Sequence, residues 1–512
     1  MRLDGHLSEV YLAQEQWEPA LECLNRYLES TPPAIEGYER KVKILKRLGR
    51  VGEVIPALRR YVDADANHLG LRLLLAHELA IQADRQGERE AETIYIQLER
   101  SYTHVQVIGG LFALYLRQQR TEMVLLKLDE VWKVIEAKDS AEDVKAQAVD
   151  RAKMMLEVLK GDRKLVQSLL QSAMRDLNRR TPRAFNTWRT LATLASRSRI
   201  LDTAEAMYRQ ALRQANPGFE AEIADGLVSV LWSAHKPAEV AEICREMLAD
   251  RQGVNQVLFR FHLALALANL DQYDEAVREI DQAIKLSSDG GRLSTRIRKV
   301  HILRRAQRFE QAVAECKSML EESTNPGQIR EIRSALSHTY GAMKQTAKAE
   351  AELRKILELD PNDATANNDL GYQMAEQGRN LDEAERMIRK AIDLDRSQRK
   401  LSADVEAENA AFLDSLGWVL FRQGKLDEAK RWLEQAATMV EGEDDPTVWD
   451  HLGDVRAKLN LPTPAREAWQ KALVRFERDR RTYPADRLEE VKRKLRQLEP
   501  RTIPATPVKR GD

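Results

Sequence analysis

The sequence predicts an all-α solenoid built from helix–turn–helix repeats, ending in a capping helix. The main observation is a repeated unit, because Ala411 to Met439 and Asp445 to Phe476 carry similar residues 36 positions apart. The composition agrees, since 43% of the residues are hydrophobic, only 6% are aromatic, and Ala, Leu, Glu, Arg and Gln are abundant. The matched pairs are Leu416 with Leu452, Gly417 with Gly453, Ala429 with Ala465, Leu433 with Trp469, and Ala436 with Ala472.

The small residues of this unit have a physical reason. Two apolar helices of about a dozen residues that pack together need a small side chain where their backbones approach most closely. Gly417 and Gly453 supply it on the first helices, and Ala429 and Ala465 supply it on the second helices. Such a pair cannot bury its apolar face alone, so we expect an array of about twelve stacked repeats.

The N-terminal part of the array is predicted over residues 1–139. Two clear units run to about Asp65, and two degenerate units follow, in which the small-residue positions are blurred. Residues 140–183 keep a helical period but lack the Ala and Gly positions. We therefore expect an irregular helical pair there, at which two arms of the solenoid meet.

The regular pattern returns in a central array over 184–363 and in a C-terminal block over 364–480, which contains a polar insertion at 396–410. A charged helix with an apolar stripe is predicted to cap the array over 481–499. The tail 500–512 contains three prolines and no apolar period, so we expect it to be disordered. The stripe consists of Leu488, Val491, Leu495 and Leu498.

These repeats resemble the tetratricopeptide repeat. The W..LG..Y first helix, the A...F/Y..A second helix, the closing Pro and a period of about 34 residues carry the resemblance, and Pro446 to Phe476 matches nearly every marked position. The stretch NNDLGYQMAEQGRNLDEAERMIRKAI, then AFLDSLGWVLFRQGKLDEA and HLGDV, is similar to the C-terminal block of large bacterial tetratricopeptide proteins, among them periplasmic lipoproteins that bind partners. The resemblance implies a right-handed superhelix whose first helices line a concave wall.

Charge and cysteine content narrow the function classes. With 81 basic and 81 acidic residues the net charge is zero, so nothing global favours nucleic acid or an acidic membrane as partner. Cys23, Cys244 and Cys316 lie among apolar neighbours and are predicted to be reduced core thiols. No apolar run is long enough to span a membrane, and the N-terminus lacks a signal-peptide core.

Two localisations follow from different interpretations of the N-terminus. Taken literally, the chain is soluble and cytoplasmic. Leu7, Tyr11 and Trp17, however, already follow the repeat spacing, so the sequence opens inside a repeat without a polar cap. We therefore expect a longer natural chain, and a periplasmic or membrane-anchored protein is the alternative if an upstream signal or lipid anchor has been removed.

No catalytic motif occurs in the sequence. It contains no P-loop, no GxSxG, no HExxH and no CxxC, and the pair His77–Glu78 lacks a second histidine four residues on. We interpret that pair as a surface dipeptide. The sequence therefore predicts a protein that is not an enzyme and that uses no cofactor and no metal ion.

The resemblance implies candidate binding residues on the concave wall. Trp418 directly follows Leu416–Gly417, so it cannot fully share their packing face and is a candidate anchor for a partner. The alternative is that Trp418 and Phe421 pack against the insertion 396–410, folded back over the groove. The candidate residues in this region are Asn368, Tyr372, Asp414, Trp418, Phe421, Asp450 and Asp454.

Charge is uneven along the chain despite the zero sum. Nine basic residues and two acidic residues lie within 161–200, whereas 401–460 holds thirteen acidic and six basic residues. If the arginines in the middle of the array line the inner wall, they would attract an acidic peptide. The acidic C-terminal end would instead prefer a basic or apolar peptide. The alternative is a set of solvated faces. The candidates are Arg189, Arg197, Arg304 and Arg305.

The sequence thus favours a protein-interaction scaffold or adaptor that holds a segment of a partner protein in its concave groove. Nucleic acid is not an expected partner, because no aromatic residues alternate with the basic ones. One alternative is a self-assembling subunit that associates through an apolar end face around Leu7 and Tyr11. The other is the interaction region of a larger protein whose enzymatic domain lies outside this chain.

Overall fold

The chain folds entirely into helices wherever its structure is described. The computed structural model describes residues 2–30, 34–82, 84–102, 104–216, 218–249, 255–401, 408–478 and 485–498. These ranges hold 28 α-helices, one short 3₁₀ helix and no strand. The all-α repeat fold predicted from the sequence is confirmed. Two compact units divide the chain, Met1–Lys236 and Pro237–Asp512, here called the N-terminal and C-terminal units.

The N-terminal unit consists of helices that pack in sequence order. Its helices are α1 (Arg2–Ala13), α2 (Trp17–Ser30), α3 (Ile35–Arg47), α4 (Val54–Ala64), α5 (Leu69–Gln82), α6 (Arg85–Ser101), α7 (Val105–Arg117), α8 (Glu122–Glu136), α9 (Glu142–Gly161), α10 (Arg163–Asn178), α11 (Phe185–Arg197), α12 (Leu201–Gln214) and α13 (Glu220–Ser233). The 3₁₀ helix, Val51–Glu53, precedes α4.

The C-terminal unit continues in the same manner. Its helices are α14 (Pro237–Ala249), α15 (Gln256–Asn269), α16 (Tyr273–Leu286), α17 (Asp289–Arg305), α18 (Phe309–Glu322), α19 (Pro326–Ala342), α20 (Thr346–Leu359), α21 (Ala364–Gln377), α22 (Leu381–Leu401), α23 (Ala410–Arg422), α24 (Leu426–Thr438), α25 (Val440–Asp444), α26 (Pro446–Lys458), α27 (Pro462–Arg478) and α28 (Ala485–Gln497). Asx caps start several first helices, as where the Asp363 carboxylate accepts the N–H of Ala366 at 2.7 Å.

A left-handed residue recurs at the turn between the two helices of a pair. Arg199, His235, Asp271 and Gln307 have φ values of 58°, 57°, 61° and 57° and lie 36 residues apart, the same spacing as the sequence repeat. Such a residue turns the chain out of the helix and lets the following N–H groups bond to the last carbonyls. The repeat therefore preserves backbone geometry as well as apolar positions, although a non-glycine residue there costs about 1–2 kcal/mol.

The predicted close approach at the repeat glycines is confirmed. A Cβ atom added to Gly417 would lie 2.5 Å from Cγ of Leu433, and one added to Gly453 would lie 2.3 Å from Cδ1 of Trp469. Each contact joins the first helix of a pair to the second. The backbone is helical at both positions, so backbone conformation does not require glycine there. Packing requires it, because the neighbouring helix leaves no room for a side chain.

Replacing Gly417 with alanine should lower the free energy of unfolding of the C-terminal unit by about 1–3 kcal/mol, because the new methyl group overpacks the contact with Leu433. Urea denaturation followed by circular dichroism measures this. The matched control is Gly341→Ala in α19, where an added Cβ meets no atom within 4 Å. That change should be neutral or stabilise by up to about 1 kcal/mol. Equal midpoints for the two variants would contradict the packing argument.

The segment 140–183 forms two regular helices, α9 and α10. α9 packs against α7 and α8, and α10 packs against α8 and α11. Met155, Leu159 and Leu169 are buried in these helices, together with Ala152 and Ala173. The division between compact units falls after Lys236, outside the segment where the sequence places a junction of two arms.

Part of the predicted insertion at 396–410 is helical, because α22 extends to Leu401. Residues 402–407 and the tail 500–512 lie outside the described residues. On the far side of the gap, Glu408 accepts hydrogen bonds from Arg396 at 2.8 Å and from Gln435 of α24 at 2.6 Å. These described parts of the insertion therefore contact each other and α24.

Three further expectations can be compared with the structure. Cys23, Cys244 and Cys316 are free and buried, as predicted. Within the described chain, no helix combines the length and apolar character that a membrane crossing requires. The interpretation of His77–Glu78 as a surface pair is wrong for the glutamate, because Glu78 is buried and accepts a 2.8 Å hydrogen bond from Lys46.

Candidate functional site

The last helix, α28, folds back along α27. Arg466 near the start of α27 donates a 2.9 Å hydrogen bond to the carbonyl of Leu498, and Lys492 lies 3.9 Å from Glu477 near the end of α27. The two helices are therefore antiparallel. This arrangement directs the N-terminal end of α28 back toward earlier repeats.

α28 also reaches first helices that are distant in sequence. Near its C-terminal end, Lys494 contacts Asp450 of α26 at 2.7 Å, and near its N-terminal end Arg487 contacts Glu376 of α21 at 2.9 Å. The two anchoring residues are seven positions apart, about 10 Å along the helix axis. One helix therefore contacts two first helices, α21 and α26, that belong to different repeats.

The apolar side of α28 belongs to the same core cluster as those helices. Val491 is completely buried, and Leu488, Leu495 and Leu498 pack around it against that cluster. We call the surface under α28 the C-terminal groove. It is defined by Tyr372 and Glu376 of α21, Trp418 of α23, and Asp450 and Asp454 of α26.

Trp418 is not an exposed anchor, contrary to the expectation from the sequence. Only 7% of it is exposed, because its ring stacks on the imidazole of His451 at 4.0 Å between centroids and on Phe421 at 5.1 Å. The partner in this stack is the first helix of the next repeat, and the described contacts of the insertion 396–410 lie at α24 instead. Trp418 therefore joins α23 to α26 beneath the groove.

His451 is fully buried and forms the polar centre of this stack. Its Nδ1 atom lies 2.9 Å from the carboxylate of Asp414 on α23, which fixes Nδ1–H as the hydrogen-bond donor. Burial alone would lower the pKa of His451, but the charges of Asp414, Asp450 and Asp454 outweigh it and raise that pKa. A buried hydrogen bond from this imidazole to the carboxylate thus connects two successive first helices.

The acidic side of the C-terminal groove is matched by Lys494. Its ammonium lies 2.7 Å from Asp450 and 2.8 Å from Asp454, and the indole N–H of Trp469 donates to Asp454 at 3.1 Å. Burial opposes the charge of Lys494, but the two carboxylates outweigh it and raise its pKa. Burial and the charge of Asp450 raise the pKa of Asp454 as well. The ammonium of Lys494 thus lies between two carboxylates of α26.

The remaining C-terminal candidates lie close to the groove. Tyr372 is half-buried, and burial raises the pKa of its hydroxyl. Asn368 is buried one turn earlier on α21, and its amide donates to Asp369 at 3.2 Å. Phe421 is half-buried against Trp418. The structure thus brings all seven C-terminal candidates onto three adjacent helices.

The basic candidates do not form a comparable cluster. Arg189 pairs with Glu222 at 2.5 Å, and Arg197 is exposed at the end of α11 in the N-terminal unit. In the C-terminal unit, Arg305 donates to Asn269 at 3.2 Å, and burial together with the charge of Arg305 lowers the pKa of Arg304. Their role in binding remains a prediction.

Sequence reasoning missed four residues of the site: Glu376, His451, Arg487 and Lys494. A signal for the last two was present, because two basic residues seven positions apart flank the apolar stripe of a helix. His451 carried no signal, since the equivalent position in the preceding unit is Ser415. The residues the structure describes contain no cluster of His, Cys, Asp or Glu suited to a metal ion.

These features define the class of the protein as an α-helical repeat protein whose C-terminal groove is covered by its own helix α28. Comparison with known families agrees with this class. Tetratricopeptide-repeat models match residues 259–289, 331–363 and 410–446. The chain therefore contains tetratricopeptide repeats, as the sequence predicts, and arrays of this fold generally mediate protein–protein interaction.

Two relatives from Pseudomonas aeruginosa match parts of the chain. The TPR repeat-containing protein PA4667 is 29% identical over 188 residues, which are 37% of this chain and 29% of the relative. The type IV pilus assembly protein PilF is 30% identical over 148 residues, which are 28% of this chain and 53% of the relative. The matched regions thus span about a third and about half of these two proteins.

A solved structure also aligns over most of the chain. The crystal structure of yeast Tom70 is 13% identical, with coverage of 97% of this chain and 96% of that chain and a TM-score of 0.36.

Proposed function

We propose that the protein is a non-catalytic scaffold that binds a helical segment of a partner protein in its C-terminal groove. The observation that carries the proposal is that the groove already holds a helix, α28, through both ion pairs and apolar contacts. Helix-in-groove recognition uses the same elements, an apolar stripe and a few charged anchors. The acidic character of the groove agrees with the excess of acidic residues in 401–460.

Several features support a binding role over a packing role alone. Asp450 and Asp454 place two carboxylates side by side on α26, where both must be matched by a cation to remain buried. Packing of the repeat itself does not require that arrangement, since its glycines and alanines already fill the closest contacts. Carboxylates of this kind select a basic ligand.

The proposal is tested by affinity capture from a bacterial lysate with the full chain and with Tyr372→Ala, which removes a half-buried aromatic side chain of the groove. Quantitative mass spectrometry should show at least one protein retained by the wild type and depleted more than fivefold with this variant. Trp432→Ala is the matched control, because this half-buried tryptophan of α24 lies outside the groove. Circular dichroism and a thermal melt establish that each variant is folded.

The proposal fails if the wild type, the groove variant and the control retain the same proteins in the same amounts. Loss of a protein with Trp432→Ala as well would assign that interaction to another surface. Binding at the C-terminal groove is therefore supported only if the Tyr372 and Trp432 variants, both altered at half-buried aromatic positions of the same unit, retain different proteins.

A further inference from the structure

We infer that α28 is a replaceable occupant of the C-terminal groove, and that the partner helix is a basic amphipathic helix that displaces it. This inference rests on the proposed function and specifies the chemistry of the partner. Two basic residues seven positions apart, Arg487 and Lys494, mark the two ends of the bound helix. Leu488 and Val491, which lie between them, and Leu495, which follows Lys494, form the apolar contact.

Charge complementarity determines the class of partner. The groove presents Glu376 at one end and Asp450 with Asp454 at the other, so a ligand helix needs one cation for each end about 10 Å apart along its axis. Residues seven positions apart lie on one face at that separation. An acidic helix would place like charges in a buried site, which is strongly unfavourable.

The way in which α28 is held permits exchange. Side-chain ion pairs to the groove hold it, together with a hydrogen bond from Arg466 to the carbonyl of Leu498, and the exposed pair between Asp486 and Lys344, at 3.4 Å, contributes little. No backbone–backbone hydrogen bond joins the described residues of α28 to α21 or α26. Because α28 belongs to the same chain as the groove, it competes at an effective concentration on the order of millimolar. An external helix must therefore compete with α28, and weakening α28 should open the groove.

The probe is a fluorescein-labelled, N-acetylated peptide of residues 485–498, used with the full chain. Leu488→Asp/Val491→Asp removes the apolar contact of the resident helix. Fluorescence anisotropy should show at least tenfold tighter peptide binding to this variant than to the wild type. Arg487→Glu/Lys494→Glu in the chain keeps the apolar stripe and should open the groove in the same direction, which covers the case that the first variant misfolds.

Groove specificity is tested in the opened chain. Adding Asp450→Asn/Asp454→Asn should weaken peptide binding at least fivefold, whereas Asp393→Asn/Asp427→Asn should not change it. The control pair consists of exposed carboxylates on α22 and α24. A peptide carrying R487E and K494E should bind at least tenfold more weakly than the wild-type peptide. Equal binding in all arms would overturn the inference.

Hydrogen exchange of the wild type gives an independent criterion. Amides of α28 should exchange at least tenfold faster than those of α26, because α28 opens without global unfolding. Equal rates would show that α28 leaves the groove only when the unit unfolds and would overturn the inference. A concentration-dependent doubling of mass in analytical ultracentrifugation of the opened variant would also overturn it, since a second copy would then be the occupant.

The failure of this inference is distinguishable from failure of the proposed function. A captured protein that is lost with Tyr372→Ala but is not displaced by the 485–498 peptide leaves the scaffold function standing and rejects a basic helix as partner. A captured protein that the peptide displaces supports both.

Discussion

Replacing Asp414 with alanine should lower the free energy of unfolding of the C-terminal unit by about 3 kcal/mol, because it leaves a fully buried imidazole without its partner. The loss includes part of the stack in which His451 supports Trp418. Urea denaturation followed by circular dichroism at pH 6 measures the change.

The same pair predicts a pH dependence. Folding raises the pKa of His451 above the value of about 6.5 for a free imidazole, so the native state binds this proton more tightly than the unfolded state. The stability from the pair is fully present below about pH 6.5 and is lost as the pH rises through the folded-state pKa. Asp414 of α23 and Asp450 and Asp454 of α26 are the acidic groups that set its direction.

The wild type should therefore lose stability between pH 6 and pH 9, and Asp414→Ala should lose less over the same range. His338→Gln is the control, because His338 also contacts an aspartate, at 3.2 Å, but is 44% exposed. That change should alter stability by less than about 1 kcal/mol. Parallel pH profiles for the wild type and Asp414→Ala would contradict a charged His451 in the native state.

The second large effect is expected in the N-terminal unit. Replacing Trp188 with alanine should destabilise the unit by about 3–5 kcal/mol, because Trp188 is a fully buried side chain of α11 and its removal leaves a large cavity. The measurement is the urea midpoint of the full chain, followed by circular dichroism.

Trp17→Ala is the matched control for this prediction. Trp17 begins α2, is half-buried, and lies under the guanidinium of Arg47 at 5.9 Å, so its removal should destabilise by about 1 kcal/mol. Similar midpoints for the two tryptophan variants would mean that the core around α11 relaxes to fill the space.

Much of the fold follows from local pattern. Gly417 and Gly453 predict where two helices touch, because a close approach of backbones tolerates no larger side chain. The recurrence every 36 residues predicts the stacking of pairs, and the apolar stripe of Leu488, Val491 and Leu495 predicts a helix after the last pair. These features connect residues within one repeat or between neighbours, and a repeated spacing reveals such contacts.

The repeat pattern predicted the contacts of the candidate site less well than it predicted the fold. Trp418 was singled out because it does not match the packing face of Leu416–Gly417, yet its ring lies against His451. The resemblance placed Asp450 and Asp454 near the groove, but neither residue indicated what would neutralise it. The missing cation, Lys494, comes from a helix outside the repeats.

By itself, the sequence determined the helix pairs, their stacking order and the residues at their closest contacts, since each depends on residues a fixed distance apart in the chain. Only the tertiary structure decided that α28 contacts α21 and α26 and covers the C-terminal groove. The contact between Arg487 and Glu376 joins residues 111 positions apart. No repeat period encodes that separation, because it depends on how the helix after the last pair folds back across the preceding first helices.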